Sequence, residues 1–262
     1  GQVFKGMSAR LTPAQLEALR RDPSVDKIEE EQIFSLNARP QAGGGTTSTQ
    51  STPWGISKTR ATESYTLAGN GSGAVTGVRT YVIDTGVDMK NADLNRPLHV
   101  NFIADRKNTD CNGHGTHVAG TMAAYDNTAS VVGMAPGVPV YGVKVLDCNG
   151  SGTTTSVIKG VDWVAANAIR PAVANMSLGG GASQMLDDAV RAAAARDIVF
   201  SIAAGNSAAN ACTASPARIG GGTPGVLVTA ATDINDLEAS FSNYGACVDV
   251  WAPGVSIPSL KL

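Results

Sequence analysis

From Thr80 onward, short apolar, β-branched runs alternate with helical patterns: "TYVID", the helix opening after Gly113, "VYGVKVL", "SVIKGVDWVAANA", "AVANMSL", "QMLDDAVRAAAARD", "IVFSIAAGN", "GVLVTAAT" and "CVDVWAPG". Nothing else in the sequence restricts the fold as strongly. Strands separated by helices of this length pair in parallel through crossovers, and their apolar runs need cover on both faces. The alternation therefore predicts an α/β fold with a doubly wound, mostly parallel sheet in three layers. In such sheets chemistry gathers beyond the carboxyl ends of the strands. Asp84, Asp147, Ser177 and Asn206 fall at those ends.

Residues 1–38 read as a separate, small α+β unit. "VFKGMSARL" is expected as a strand. The helix "LTPAQLEALRRDP" follows, with Thr12 as N-cap, Pro13 at the first helical position and Gln15 closing a capping box. Leu16 and Leu19 share one face, the helix stops at Asp22-Pro23, and "SVDKIEEEQIFSL" is expected as a second strand. Such a unit is too small to be stable alone and must lean on the larger domain. Residues 39–53, "RPQAGGGTTSTQSTP", are the expected linker, open to proteolysis, and residues 54–262 form the main domain. The chain opens on glycine in what reads as a strand, so it is expected to begin inside a longer precursor.

Twenty lysines and arginines stand against 22 aspartates and glutamates, a net charge of −2. No single-signed field points to nucleic acid or an anionic membrane, so neither is expected as a partner. No apolar stretch is long enough to cross a bilayer, and the first residues carry no charged-then-apolar leader. The four cysteines, Cys111, Cys148, Cys212 and Cys247, include no CxxC pair. Spacing leaves buried thiols and two disulfides equally open, and cannot choose among three pairings.

"VIDTG", with Asp84, reads on its own as a capped turn at a strand end. "GHGTHVAG" is more informative: His114 lies between glycines at a helix start and His117 follows within a turn, without the HExxH pattern of a zinc pair. Asn206 comes later, in "IAAGN". An aspartate to orient, a histidine to accept a proton and an amide to stabilise an oxyanion are what an Asp-His-Ser hydrolase needs.

With "NMSLGGG" and "FSNYGACVDVWAPG" added in order, residues from about Trp54 to Ser259 resemble the subtilisin-like serine endopeptidases (subtilases), in particular the proteinase K branch and its bacterial aqualysin-like members. The order Asp, His, Ser is that of subtilisin itself. The resemblance implies that Asp84 is the orienting acid, His114 the general base and Asn206 the oxyanion donor, with His117 structural. It implies that Gly150, Ser151 and Gly152 pair with substrate backbone as an added strand, and that Ser177, Leu178 and Gly179 line the primary specificity pocket. It pairs Cys111 with Cys148 and Cys212 with Cys247, each bridge adding about 3 to 4 kcal/mol by chain entropy and pointing to a secreted protein. A structural calcium would take the carbonyls of Pro224 and Val226 and the carboxylate of Asp249, whereas "WGISKTRATES" lacks the aspartates for a second such site. No organic cofactor is implied. The expected partners are polypeptide substrates and the chain's own propeptide, of which residues 1–38 resemble the second, ferredoxin-like half; the complete enzyme is expected to be a monomer.

The family's serine stands in a "GTSMA" helix start well beyond "APG", and no GTSMA occurs in these residues. Ser207 in "AAGNSAA" loosely resembles a nucleophile elbow, but that fold needs a histidine after the serine, and none follows His117. The expectation is therefore a catalytic domain cut short before its nucleophile and inactive by itself, since subtilisin loses about a millionfold in turnover without its serine. The remaining sheet is expected to expose apolar surface. The alternative is a non-catalytic pseudoprotease or peptide-binding remnant of a truncated gene.

Overall fold

The protein is described by a computed structural model covering residues 1–36 and 49–262. Residues 37–48, which hold the end of the N-terminal unit and most of the expected linker, lie outside the described residues.

Helix α1 (Pro13–Arg20) forms where its capping box predicts: Thr12 Oγ1 accepts the Gln15 amide at 3.3 Å, and Gln15 Oε1 accepts the Thr12 amide at 2.9 Å. Its only inward residues, Leu16 and Leu19, are half-buried. The strand expected over "VFKGMSARL" is absent, and the second expected strand shrinks to β1 (Ile33–Leu36). A strand persists where a ladder satisfies its backbone. Residues at the start of the chain satisfy theirs differently, with the Gln2 and Val3 amides on the Asp162 carboxylate and Val3 and Phe4 packed on the core.

After the short α2 (Trp54–Lys58) come β2 (Arg79–Asp84), β3 (Leu98–Asn101), α3 (His114–Ala123), β4 (Val140–Lys144), β5 (Ser151–Thr153) and α4 (Thr154–Asn167). Then follow β6 (Ala172–Met176), β7 (Leu178–Gly180), α5 (Gln184–Ala194), β8 (Ile198–Ala203), β9 (Val226–Thr232) and β10 (Val250–Pro253). Seven strands form one sheet in the order β10-β9-β8-β6-β2-β4-β3, and every pairing in it is parallel. The brief α2, β3, β5 and β7 had no sequence signal long enough to register.

The sheet is doubly wound. Tyr81 and Ile83 on β2, with Phe200 and Ile202 on β8, face Val157, Val161, Val164, Leu186 and Val190 of α4 and α5. Val82 and Val140 point the other way, against Ala119 and Ala123 of α3. Each large buried side chain contributes about 1.5–3 kcal/mol relative to exposure. Among the described residues the α3 side is covered only over β2 and β4: Val199 on β8 is 46% exposed and Leu227 on β9 is 40% exposed. The chain lays β4 and β3 on one side of β2 and β6, β8, β9 and β10 on the other. The carboxyl end of β2 is thus the switch point, where a doubly wound sheet opens a crevice.

Candidate active site

Asp84 is the last residue of β2 and is fully buried at that switch point. Its Oδ1 accepts the Thr85 amide at 2.7 Å and lies 2.7 Å from His114 Nδ1. An ionised carboxylate only accepts, so Nδ1 carries the proton and Nε2 is left as the basic nitrogen. Burial works against a charged imidazole here, but the charge and hydrogen bond of Asp84, with a contribution from Asp110, outweigh it and raise the pKa of His114 above its ordinary value.

His114 opens α3 behind Gly113, whose φ of 104° is left-handed. The next residue must be glycine for a different reason. A Cβ on Gly115 would stand 2.0 Å from the Gly86 carbonyl oxygen, so the helix start could not approach the turn after β2. His117 is engaged elsewhere, its Nε2 3.1 Å from the Ile257 carbonyl oxygen.

Sequence reading missed two charged residues beneath the pair. Lys144, fully buried at the end of β4, donates to the carbonyls of Thr85 (2.8 Å) and Leu146 (2.9 Å) and stands 3.6 Å from Asp105. A lysine ending the apolar run "VYGVK" was the available signal. Burial lowers its pKa, against the pull of Asp105 and Asp110. The other is Asp110, four residues before the first residue of α3.

The two edge segments named from sequence flank one strand. β1 lies antiparallel to β5 with Phe34 opposite Gly152 and Ser35 opposite Ser151, and antiparallel to β7 with Ser35 opposite Gly179 and Leu36 opposite Leu178. The Leu36 amide also donates to the Gly150 carbonyl at 3.0 Å. A Cβ on Gly150 would strike the Leu36 side chain at 2.1 Å, and one on Gly180 would strike the ring of Phe34, itself fully buried, at 2.8 Å. Ser177, just before β7, accepts from the Asn175 side chain at 2.9 Å. Asn206 lies half-buried in the loop after β8, on the same carboxyl edge of the sheet as Asp84.

The acidic run before β1 meets two helix starts. Glu29 Oε2 accepts the Met185 amide of α5 at 3.0 Å, and Glu31 Oε1 the Thr155 amide of α4 at 3.4 Å. Each caps an orphan N–H where the helix dipole favours negative charge.

Cys111 is bonded to Cys148, tying the loop before α3 to the loop before β5, and Cys212 is bonded to Cys247. Asp105, Cys111 and Cys148 come close enough to suggest a metal group, but both sulfurs belong to a disulfide and Lys144 Nζ already lies 3.5 Å from Cys111 Sγ. At the other end of the sheet Asp249 accepts the Gly221 amide (3.0 Å) on Oδ1 and the Val228 amide (2.7 Å) on Oδ2. Each oxygen keeps a lone pair, and with the carbonyls of Pro224 and Val226 the donor set is all oxygen, which fits a hard cation.

A family model described as the subtilase family matches residues 76–261, and one described as peptidase inhibitor I9 matches residues 1–37. The alkaline serine exoprotease A of Vibrio alginolyticus is 46% identical over 261 residues, 98% of this chain and 46% of that protein. The extracellular serine proteinase of Thermus sp. (strain Rt41A) is 39% identical over 265 residues, 98% of this chain and 59% of that protein. The chain thus spans about half to three fifths of the length of these relatives. A crystal structure of a cold-adapted subtilisin-like serine proteinase superposes with a TM-score of 0.65 at 48% identity, covering 71% of this chain and 66% of that one.

Proposed function

The chain belongs to the subtilase family, and from that premise we propose that it carries the acid–base half of a secreted serine endopeptidase, with the family's inhibitor segment docked across it. The observation that carries this reading is the buried 2.7 Å contact between His114 Nδ1 and Asp84 Oδ1 at the switch point of the sheet. In the reaction His114 Nε2 takes the proton of a serine hydroxyl as the oxygen attacks the peptide carbonyl. Asp84 stabilises the imidazolium that forms, the Asn206 amide donates to the oxyanion, and the imidazolium then protonates the leaving amine. Gly150–Gly152 would pair with substrate backbone as they pair with β1, and Ser177, Leu178 and Gly179 would line the primary specificity pocket, Leu178 and Gly179 lying against the other side of β1. Residues 1–38, whose described part docks there through β1, act as inhibitor, and residues 39–53 are the segment where maturation cuts.

No GTSMA segment occurs within residues 1–262, so this chain by itself is expected to turn over no peptide and to resist labelling by a serine-directed organophosphate. Labelling of the 262-residue chain would sink that expectation. For the gene product with a serine-bearing segment, His114→Ala should lower turnover by about a millionfold, the figure known for subtilisin. Unchanged peptide hydrolysis in that variant would overturn the mechanism. A second reading, a peptide-binding scaffold, is favoured by β1, which pairs on both sides without a nucleophile. An in-frame GTSMA downstream decides for the endopeptidase, a stop codon for the scaffold.

Asp249, with the carbonyls of Pro224 and Val226, would hold a structural calcium, neutralising charge and fixing the start of β9. A chelator should then lower the thermal midpoint, and lower it less in Asp249→Asn; equal sensitivity would rule the site out. Secretion fits the two disulfides and the relative named as extracellular. No helix among the described residues is long and apolar enough to cross a membrane.

A further inference from the structure

Resting on the reading of Asp84 and His114 as acid and base, we infer that Asp110 is the positioning residue that sets one against the other. Asp110 is 5% exposed and its carboxylate accepts five hydrogen bonds. Oδ1 takes the Thr85 hydroxyl (3.0 Å) and the amides of Asn112 (2.9 Å) and Gly113 (3.0 Å). Oδ2 takes the amide (3.0 Å) and hydroxyl (2.7 Å) of Thr116. Every donor lies within two residues of Asp84 or His114 in the chain.

Two elements are joined by these bonds. Thr85 Oγ1 donates to Asp110 and accepts the Gly115 amide at 2.9 Å, so the residue after Asp84 and the residue after His114 share one hydroxyl. Thr116 Oγ1 donates to Asp110 and accepts the Asp88 amide at 2.9 Å, a second tie between the turn after β2 and the first turn of α3. The local chain explains why the carboxylate is needed. Gly113, at the N-cap, has no side chain to cap with, so the first-turn amides of α3 have no cap of the usual kind. Asp110, Thr85 and the Asn112 side chain (3.2 Å to the His114 amide) supply it from outside.

The charge also belongs there. A buried anion at a helix N-terminus opposes the dipole's positive end. His114 faces Asp84 and Asp110 as anions and His117 as a neighbour on its own helix. On its other side Asp110 faces the buried Lys144 and, farther along, His99, both pushed by burial toward their neutral forms. Removing Asp110 should let the helix start drift from β2, and a misplacement of about 1 Å can cost roughly a hundredfold in rate.

The test is proton NMR on the full 262-residue chain, reading the low-field Nδ1 proton of His114 and the titration of its ring, assigned by their loss in His114→Ala. Wild type should show the low-field line. Asp110→Ala should lose it and titrate at lower pH, while the amide spectrum of the sheet and cooperative unfolding persist. Thr85→Val, which keeps the shape but breaks the shared hydroxyl, should weaken the line, and Thr116→Ser, which keeps the hydroxyl, should preserve it. If Asp110→Ala does not fold, Thr85→Val decides alone. An unchanged line and titration in whichever of these two variants folds would overturn the role of Asp110. Failure of the underlying reading looks different: there Asp84→Asn, not Asp110→Ala, leaves the His114 line untouched.

Discussion

Asp93 is a carboxylate that the fold prefers neutral. Burial pushes its pKa up to about 6, against the hydrogen bond that Asn127 donates to Oδ1, and Oδ2 is buried with no partner among the described residues. Because the folded value lies above the ordinary 3.8, the stability linked to Asp93 is complete below that value and is lost as pH rises to about 6. Asp93→Asn keeps an acceptor for Asn127 and removes the titration. It should match wild type near pH 3.5 and unfold at higher temperature at pH 8, checked by calorimetry at both pH values; an equal gap at both would show that Asp93 is not the group titrating. Among catalytic candidates, Asp84 and His114 were legible because glycine-flanked motifs mark places where backbones must approach. Lys144 was not legible because its partner Thr85 lies far along the chain, and Asp110 was not because its tie to β2 runs through that same distant residue while its other partners are near neighbours.

At the scale of elements, α1 was readable to its cap because a capping box is a local transaction between residues three apart. The expected strand over "VFKGMSARL" failed for the opposite reason: alternation allows a strand, but a ladder partner makes one. β1 became a strand because β5 and β7 bracket it. Its hold should depend on Glu29 and Glu31, which cap α5 and α4; the hydrogen bonds from Thr155 and Thr153 also keep the Glu31 pKa low. Charge at a helix N-terminus is worth about 0.3–1 kcal/mol, so Glu29→Gln with Glu31→Gln should speed hydrogen exchange at the Leu36 amide by about fivefold at low salt. The gap should narrow at high salt, and no change would place the binding elsewhere.

At the scale of the molecule, β8 and β9 are apolar on both faces, "IVFSIA" and "VLVTAAT", yet the described residues cover one. Ile198, Phe200 and Val228 pack under α5 and its surroundings, while Val199, Leu227 and, in register beside Thr229, Val250 face outward. The 262-residue chain should therefore bind a dye such as ANS in its native state, and Leu227→Thr with Val199→Thr should lower that fluorescence without lowering the thermal midpoint. Dye binding unaffected by both substitutions would locate the exposed surface elsewhere. Periodicity, caps and glycine-marked turns act over a few residues, which is why the layered α/β plan, the capping of α1 and the order of Asp84, His114 and Asn206 can be read along the chain. The place of β1 between β5 and β7, the single buried carboxylate that serves both β2 and α3, and the sheet face left open among the described residues emerge only when the chain is folded. Those outcomes rest on contacts between residues far apart in the chain, whose free energy no local pattern records.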